Sequence, residues 1–139
     1  MRLSPREEAF LREQPVARLA TADGEGRPSV VPVCFAYVDG RLYTPIDEKP
    51  KSGRPLKRLR NIEANPRVAL VCDRYDEDWR RLAWVQVRGT AALVSDADER
   101  SRAIAALRAR YPQYGSMALE SLPLIRIDIE SASSWGALG

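Results

Sequence analysis

The sequence predicts a mainly β chain with flanking helices (an α+β arrangement) in which an antiparallel sheet curls towards a barrel. Three observations carry this. Asp39-Gly40, between two β-rich runs, is a strong hairpin signal. Segments 28–38 and 82–94 read as long strands, and long antiparallel strands curl and close to remove exposed edges. Helical periodicity is confined to short stretches, each bounded by a cap or a proline. At 139 residues, 45% of them hydrophobic, the chain is expected to form one domain over residues 1–139.

Each element has a local reason. Ser4-Pro5-Arg6-Glu7 is a capping box with proline at the first helical position, so a helix should run to about Gln14, where Pro15 ends it. Ala17–Ala22 reads as a strand and Asp23-Gly24-Glu25-Gly26 as a turn. Pro28–Val38 is the first long strand, and Arg41–Pro45 returns from the Asp39-Gly40 hairpin. Residues 46–54 form a polar loop. In Pro55–Asn65, Leu56, Leu59 and Ile62 fall at helical spacing, and Asn65-Pro66 is the stop. Arg67–Tyr75 is a strand with a nearly continuous apolar run, and Leu82–Val94 a longer one expected to bend at Gly89. Asp96 and Glu99 open a helix whose inner face is Ala103, Ile104, Leu107 and Tyr111. Pro112 closes it, a weak helical turn is expected over Ser116–Leu119, and Leu124–Ile129 is the last strand.

Composition removes several classes of function. The chain has no histidine, and with it go the commonest general base, the commonest metal ligand and any Ser-His or Cys-His nucleophile. Two isolated cysteines, Cys34 and Cys72, cannot build a structural zinc site, and both read as reduced, buried thiols. The acidic run Asp76-Glu77-Asp78 reads as a solvent-facing loop, so no metal is expected. No catalytic side chain can be nominated, and chemistry is expected from a bound organic cofactor. The N-terminus has no apolar signal region and no run approaches the length of a membrane span, so a soluble, cytoplasmic protein without membrane contact is expected.

The formal net charge of +3 is unevenly spread. Residues 41–67 hold eight basic and three acidic side chains, +5 locally, which leaves −2 for the rest. All three lysines, Lys49, Lys51 and Lys57, lie there, and every other basic residue is arginine. So narrow a basic segment points to an anionic small ligand rather than to nucleic acid, which needs a broader basic face.

Several segments together resemble a known family. Ala17-Arg18-Leu19-Ala20-Thr21, then Gly26-Arg27-Pro28 leading into Val30–Phe35, is similar to the opening hairpin of the pyridoxamine 5'-phosphate oxidase-like, FMN-binding split β-barrels. Leu42-Tyr43-Thr44 resembles that family's third strand, Lys57-Arg58 with Asn61–Val68 its phosphate-binding helix and following strand, and Val85–Ala91 its fifth strand. The likeness covers residues 16–131. Lys49-Pro50-Lys51 and Tyr75-Asp76-Glu77-Asp78-Trp79 look most like the branch assigned to enzymes using the deazaflavin coenzyme F-420.

The resemblance implies an antiparallel split β-barrel and a homodimer with the cofactor at the subunit interface. It also implies an oxidoreductase moving hydride to or from a small conjugated substrate through coenzyme F-420. FMN with reductase or oxidase activity, and a non-catalytic flavin or deazaflavin carrier, stay open as alternatives. Lys57 and Arg58 match the positions that hold the cofactor phosphate, and Lys51 and Arg54 would extend that positive surface towards an acidic tail. Val31, Pro32 and Val33 match the segment along the ring's edge; FMN-oxidase relatives carry arginine where this chain has Val31, which weakens the FMN reading. Thr44 would bond the polyol or phosphate. Trp84 stands where FMN-using relatives place a polar residue, and would stack on cofactor or substrate.

Overall fold

The computed structural model describes residues 2–46 and 56–139. Helix α1 (Pro5–Glu13) opens on the expected capping box: the Ser4 hydroxyl accepts from Glu7 N and the Glu7 carboxylate from Ser4 N. Strands β1 (Ala17–Ala22), β2 (Pro28–Val33), β3 (Ala36–Val38) and β4 (Arg41–Pro45) follow, then helix α2 (Lys57–Ala64). The chain goes on through β5 (Arg67–Arg74), β6 (Ala83–Leu93), helix α3 (Ala97–Arg110) and β7 (Leu124–Gly136). Short 3-10 turns occupy Trp79–Arg81, Pro112–Ser116 and Leu119–Ser121.

All seven strands form one antiparallel sheet in the order β2-β1-β5-β6-β7-β4-β3. Consecutive strands β2 and β3 therefore stand at opposite edges, and the chain between them, Cys34-Phe35, crosses from one edge to the other. The expected single strand over 28–38 is thus two strands, and this crossing curls the sheet round on itself. The backbone of fully buried Phe35 is satisfied by side chains instead of a ladder. Its N–H donates to the Tyr111 hydroxyl at 3.1 Å, and its carbonyl accepts from Arg110 at 3.2 Å. The same guanidinium lies 4.5 Å over the Phe35 ring.

Asp39 and Gly40 both take positive φ, 52° and 81°, the type I′ geometry that their sequence calls for. The bend expected at Gly89 is a bulge against β7, where an added Cβ would lie 1.9 Å from the Asp128 carbonyl oxygen. The curled sheet encloses a core of Leu19, Leu42, Leu70, Val85, Val87, Ile125 and Ile127 capped by Phe10 and Leu11. A second cluster packs α3 against β3, β4 and the start of β7 through Ala36, Tyr43, Ile104, Leu107 and Leu124. The helical turns after Pro112 lie on either side of the expected Ser116–Leu119 turn, and β7 runs seven residues past the expected end at Ile129.

Candidate functional site

Alternation along the strands sorts the sequence-predicted residues into two sets. Val31 and Val33 stand opposite Leu19 and Ala17 and pack on the core, so β2 can offer a ligand their backbone but not their side chains. Thr44 sits between the core residues Leu42 and Ile46 and is 1% exposed. Its Oγ1 has no hydrogen-bond partner among the described residues, an arrangement that costs about 1–3 kcal/mol unless a further group supplies one. Pro32, opposite Arg18, faces outward and is exposed. Among the described residues β2 pairs only with β1, and an edge strand is where proline is tolerated.

Lys57 and Arg58 begin α2, Lys57 exposed and Arg58 half-buried. The helix is pinned from below: Ile62 enters the core with Leu56 and Leu59 against it, and the Asn61 side chain donates to the Thr21 hydroxyl at 3.0 Å. Its N-cap is Leu56, which provides no side-chain acceptor, and its first turn has no acidic residue. The first amide N–H groups of such a helix attract anions, and here two basic side chains stand beside them. Lys51 and Arg54 lie outside the described residues.

Trp84 is half-buried on the outer face of β6 and borders a shallow cleft of about 470 Å³, lined also by Arg18, Val71, Asp73 and Gln86. Arg18 and Asp73 form an ion pair at 3.1 Å across its rim. Pro32 shares this face with Trp84 but stands three strands away, about 14 Å at ordinary strand spacing. The inward Thr44 and the outward Trp84 lie on opposite faces of the sheet. The structure therefore brings Trp84 together with Arg18 and Gln86, and Lys57 and Arg58 do not line that cleft.

The acidic loop does structural work. Asp78 caps the 3-10 turn and pairs with Arg80 at 2.9 Å, and Asp76 pairs with Arg81 at 3.4 Å. No group of side chains able to hold a metal occurs among the described residues. Both cysteines are free thiols. Cys72 is buried, and burial pushes its thiol up to about 12, whereas Cys34 is half-buried rather than buried as expected. No described helix is long and apolar enough to cross a membrane.

Family comparison agrees with this architecture along nearly the whole chain: residues 3–136 match the model of the pyridoxamine 5'-phosphate oxidase family. The chain belongs to that family. Among solved structures, this family member is 30% identical to a FAD-binding protein from Mesorhizobium loti, over 95% of this chain and 94% of that one, with a TM-score of 0.71. HutZ, the heme storage protein from Vibrio cholerae, shares the fold at 23% identity over 98% of this chain and 95% of that one, TM-score 0.75. A heme binding protein from Mycobacterium smegmatis shares it at 22% identity, over 100% of this chain and 57% of that one, TM-score 0.74. No curated protein matches the chain.

Sequence reasoning missed most of the outer face. Arg18, Gln86, Arg88 and Trp135 were not candidates, because period-2 alternation marks a side as exposed without saying what gathers on it. Trp135 lies in the part of β7 that was not read as strand, since Ser131-Ala132-Ser133-Ser134 is poor in β-formers.

Proposed function

We propose that the protein is an oxidoreductase that binds coenzyme F-420 and moves hydride to or from a small conjugated substrate. The observation that carries this reading is the start of α2, where Lys57 and Arg58 stand in a first turn that has no side-chain cap and no acidic residue of its own. That corner suits a phosphate, and the local charge of residues 41–67 suits an acidic tail as well. The flavin-binding Mesorhizobium relative supports a cofactor of this ring class. The heme-binding neighbours do so less, since this chain has no histidine to ligate iron.

When bound, such a cofactor supplies hydride transfer. The chain's own groups bind and orient it: Lys57 and Arg58 neutralise its phosphate, with Lys51 and Arg54 extending the positive surface. The backbone edge at Val31, Pro32 and Val33 borders its ring. The Thr44 hydroxyl, buried and without a hydrogen-bond partner among the described residues, is the donor this reading assigns to the polyol or phosphate. A homodimer in which a second copy covers the sheet edge at exposed Val30 would leave the cofactor in the seam.

The test is a pair of fluorescence titrations of the purified protein with coenzyme F-420 and with FMN, repeated for Lys57→Ala and Arg58→Ala. The deazaflavin should bind the more tightly, and each substitution should weaken it about ten-fold or more, the worth of one charge-assisted hydrogen bond. Preferential FMN binding would move the protein to a flavin reductase or oxidase, and binding of neither would overturn the reading.

A further inference from the structure

All three tryptophans of the chain are at least partly exposed, and two of them are cross-strand partners. Trp84 on β6 stands opposite Trp135 on β7, which is 53% exposed, and directly opposed residues point to the same face. Two residues along come Gln86 and Ser133, and two further Arg88 and Ser131, so one outward face carries three successive rungs. The last is a cation held in place by neutral groups. Arg88 donates to the Gln86 side-chain amide oxygen Oε1 at 3.0 Å, to the Ser131 hydroxyl at 3.3 Å and to the Ser133 hydroxyl at 3.4 Å, and no carboxylate among the described residues forms an ion pair with it. By contrast, the nearby Arg18 is neutralised by Asp73.

The middle rung is set by the last. Arginine can only donate, so Arg88 fixes which end of the Gln86 amide faces it and leaves the amide N–H groups to donate elsewhere. Gln86 and Trp84 line the cleft of about 470 Å³, while Arg88 lines a neighbouring groove over Ala20, Ala69 and Gly89. Four residues along one strand separate Trp84 from Arg88, about 13 Å. Along that line a ligand meets an indole wall, then an amide donor, then a guanidinium held by neutral groups in a groove that Glu130 also lines.

We infer that this outer face binds a planar conjugated acid, its ring system against Trp84 and Trp135, a ring oxygen on the Gln86 amide and its carboxylate on Arg88. As the hydride partner of the enzyme proposed above, this acid rests on that reading; as a binding site it stands on the rungs alone.

The probes are anthraquinone-2-carboxylate and its neutral partner anthraquinone-2-carboxamide, titrated into the full chain with tryptophan fluorescence quenching as readout. The acid should bind at least about ten-fold more tightly than the amide, as expected for one charge-assisted pair. Arg88→Gln should abolish that preference, and Arg88→Lys should restore part of it. Trp135→Ala should weaken both probes, and Trp135→Phe should do so less. Coenzyme F-420 is titrated separately. If it does not bind while the acid does, the cofactor reading fails and this site stands. Equal binding of acid and amide, or a preference that survives Arg88→Gln, would overturn the site, as would the absence of binding by either probe.

Discussion

Replacing Tyr111 with phenylalanine removes one oxygen atom at the place where the sheet closes on itself. The hydroxyl accepts from Phe35 N at 3.1 Å and stands 2.9 Å from the Pro15 carbonyl and 3.1 Å from that of Phe35. Phe35 is 0% exposed, so its N–H has no access to water once the acceptor is gone. The Phe35 carbonyl keeps Arg110, and the Pro15 carbonyl belongs to an exposed residue and can be rehydrated. The loss is therefore one orphaned buried N–H, about 1–3 kcal/mol, together with roughly 1 kcal/mol for the O–H bond, giving about 2–4 kcal/mol in all. At roughly 3 °C per kcal/mol for a chain of this size, the melting temperature should fall by about 6–12 °C. Urea unfolding measures the free energy, and amide exchange locates it: protection should fall first around Phe35 and in β2. Tyr75→Phe serves as the control, because Tyr75 is 65% exposed. If Tyr111→Phe unfolds at the same urea concentration as that control, the hydroxyl does not secure the crossing and the reasoning is wrong.

Glu99 is buried, accepts from Tyr43 at 2.7 Å and pairs with Arg126 at 3.2 Å and Arg41 at 3.4 Å. Burial alone would raise its pKa, but these donors together hold it below the usual carboxylate range. Its contribution is thus complete above the unfolded value of about 4.3 and is lost as the pH falls through the folded one. Glu99→Gln should cost about 1–3 kcal/mol near neutral pH, a gap from wild type that urea midpoints should show closing in acid; a gap independent of pH would refute the ionic role. Gly89→Ala should lose about 3 kcal/mol or more, or fail to fold, because the added Cβ meets backbone that cannot step aside; circular dichroism of the soluble fraction decides it. A thiol reagent at mildly alkaline pH should leave Cys72 unmodified in the native protein, since burial holds its pKa at about 12, and should reach it once denaturant is added. Rapid native labelling of Cys72, mapped by peptide mass, would contradict its placement in the core.

Locally encoded features were legible in the sequence. The Ser4 capping box, the Asp39-Gly40 turn, the Asp96 cap and the bend at Gly89 each need only a few neighbouring residues, and each is where the pattern put it. What escaped was non-local. Val33, Phe35 and Tyr37 alternate as one strand would, and nothing nearby in sequence shows that the run breaks at Cys34. The break is stabilised by Arg110 and Tyr111, more than 70 residues away. Glu99 shows the same limit: its spacing from Asp96 suggests a capping box, and its N–H does bond Asp96, but its carboxylate turns inward to Tyr43 and Arg126. The candidate site divides on this line too. Lys57 and Arg58 stand out as a charge run, whereas the Trp84–Trp135 pairing depends on a β6–β7 register that no short window contains.

That division also explains why a chain with so many arginines need not be read as a polyanion binder. Several guanidinium groups are spent on backbone carbonyls where irregular segments have no ladder to satisfy them. Arg100 donates to the carbonyls of Val94, Leu119, Glu120 and Leu122, at 2.8 to 3.3 Å. Arg108 gathers those of Tyr114 and Met117, Arg110 those of Phe35, Leu11 and Gln14, and Arg74 those of Arg81 and Ala137. A planar fork with five N–H donors can bridge several acceptors at once, which a single ammonium on a flexible stem does less well. Arginine is therefore the residue the fold requires at the 3-10 turns and at the Cys34-Phe35 crossing. Subtracting those duties leaves few basic groups for a ligand. Among the described residues, Lys57 and Arg58 at the start of α2, and Arg88 held by an amide and two hydroxyls, stand apart from those duties. They are the cations on which the two binding proposals rest.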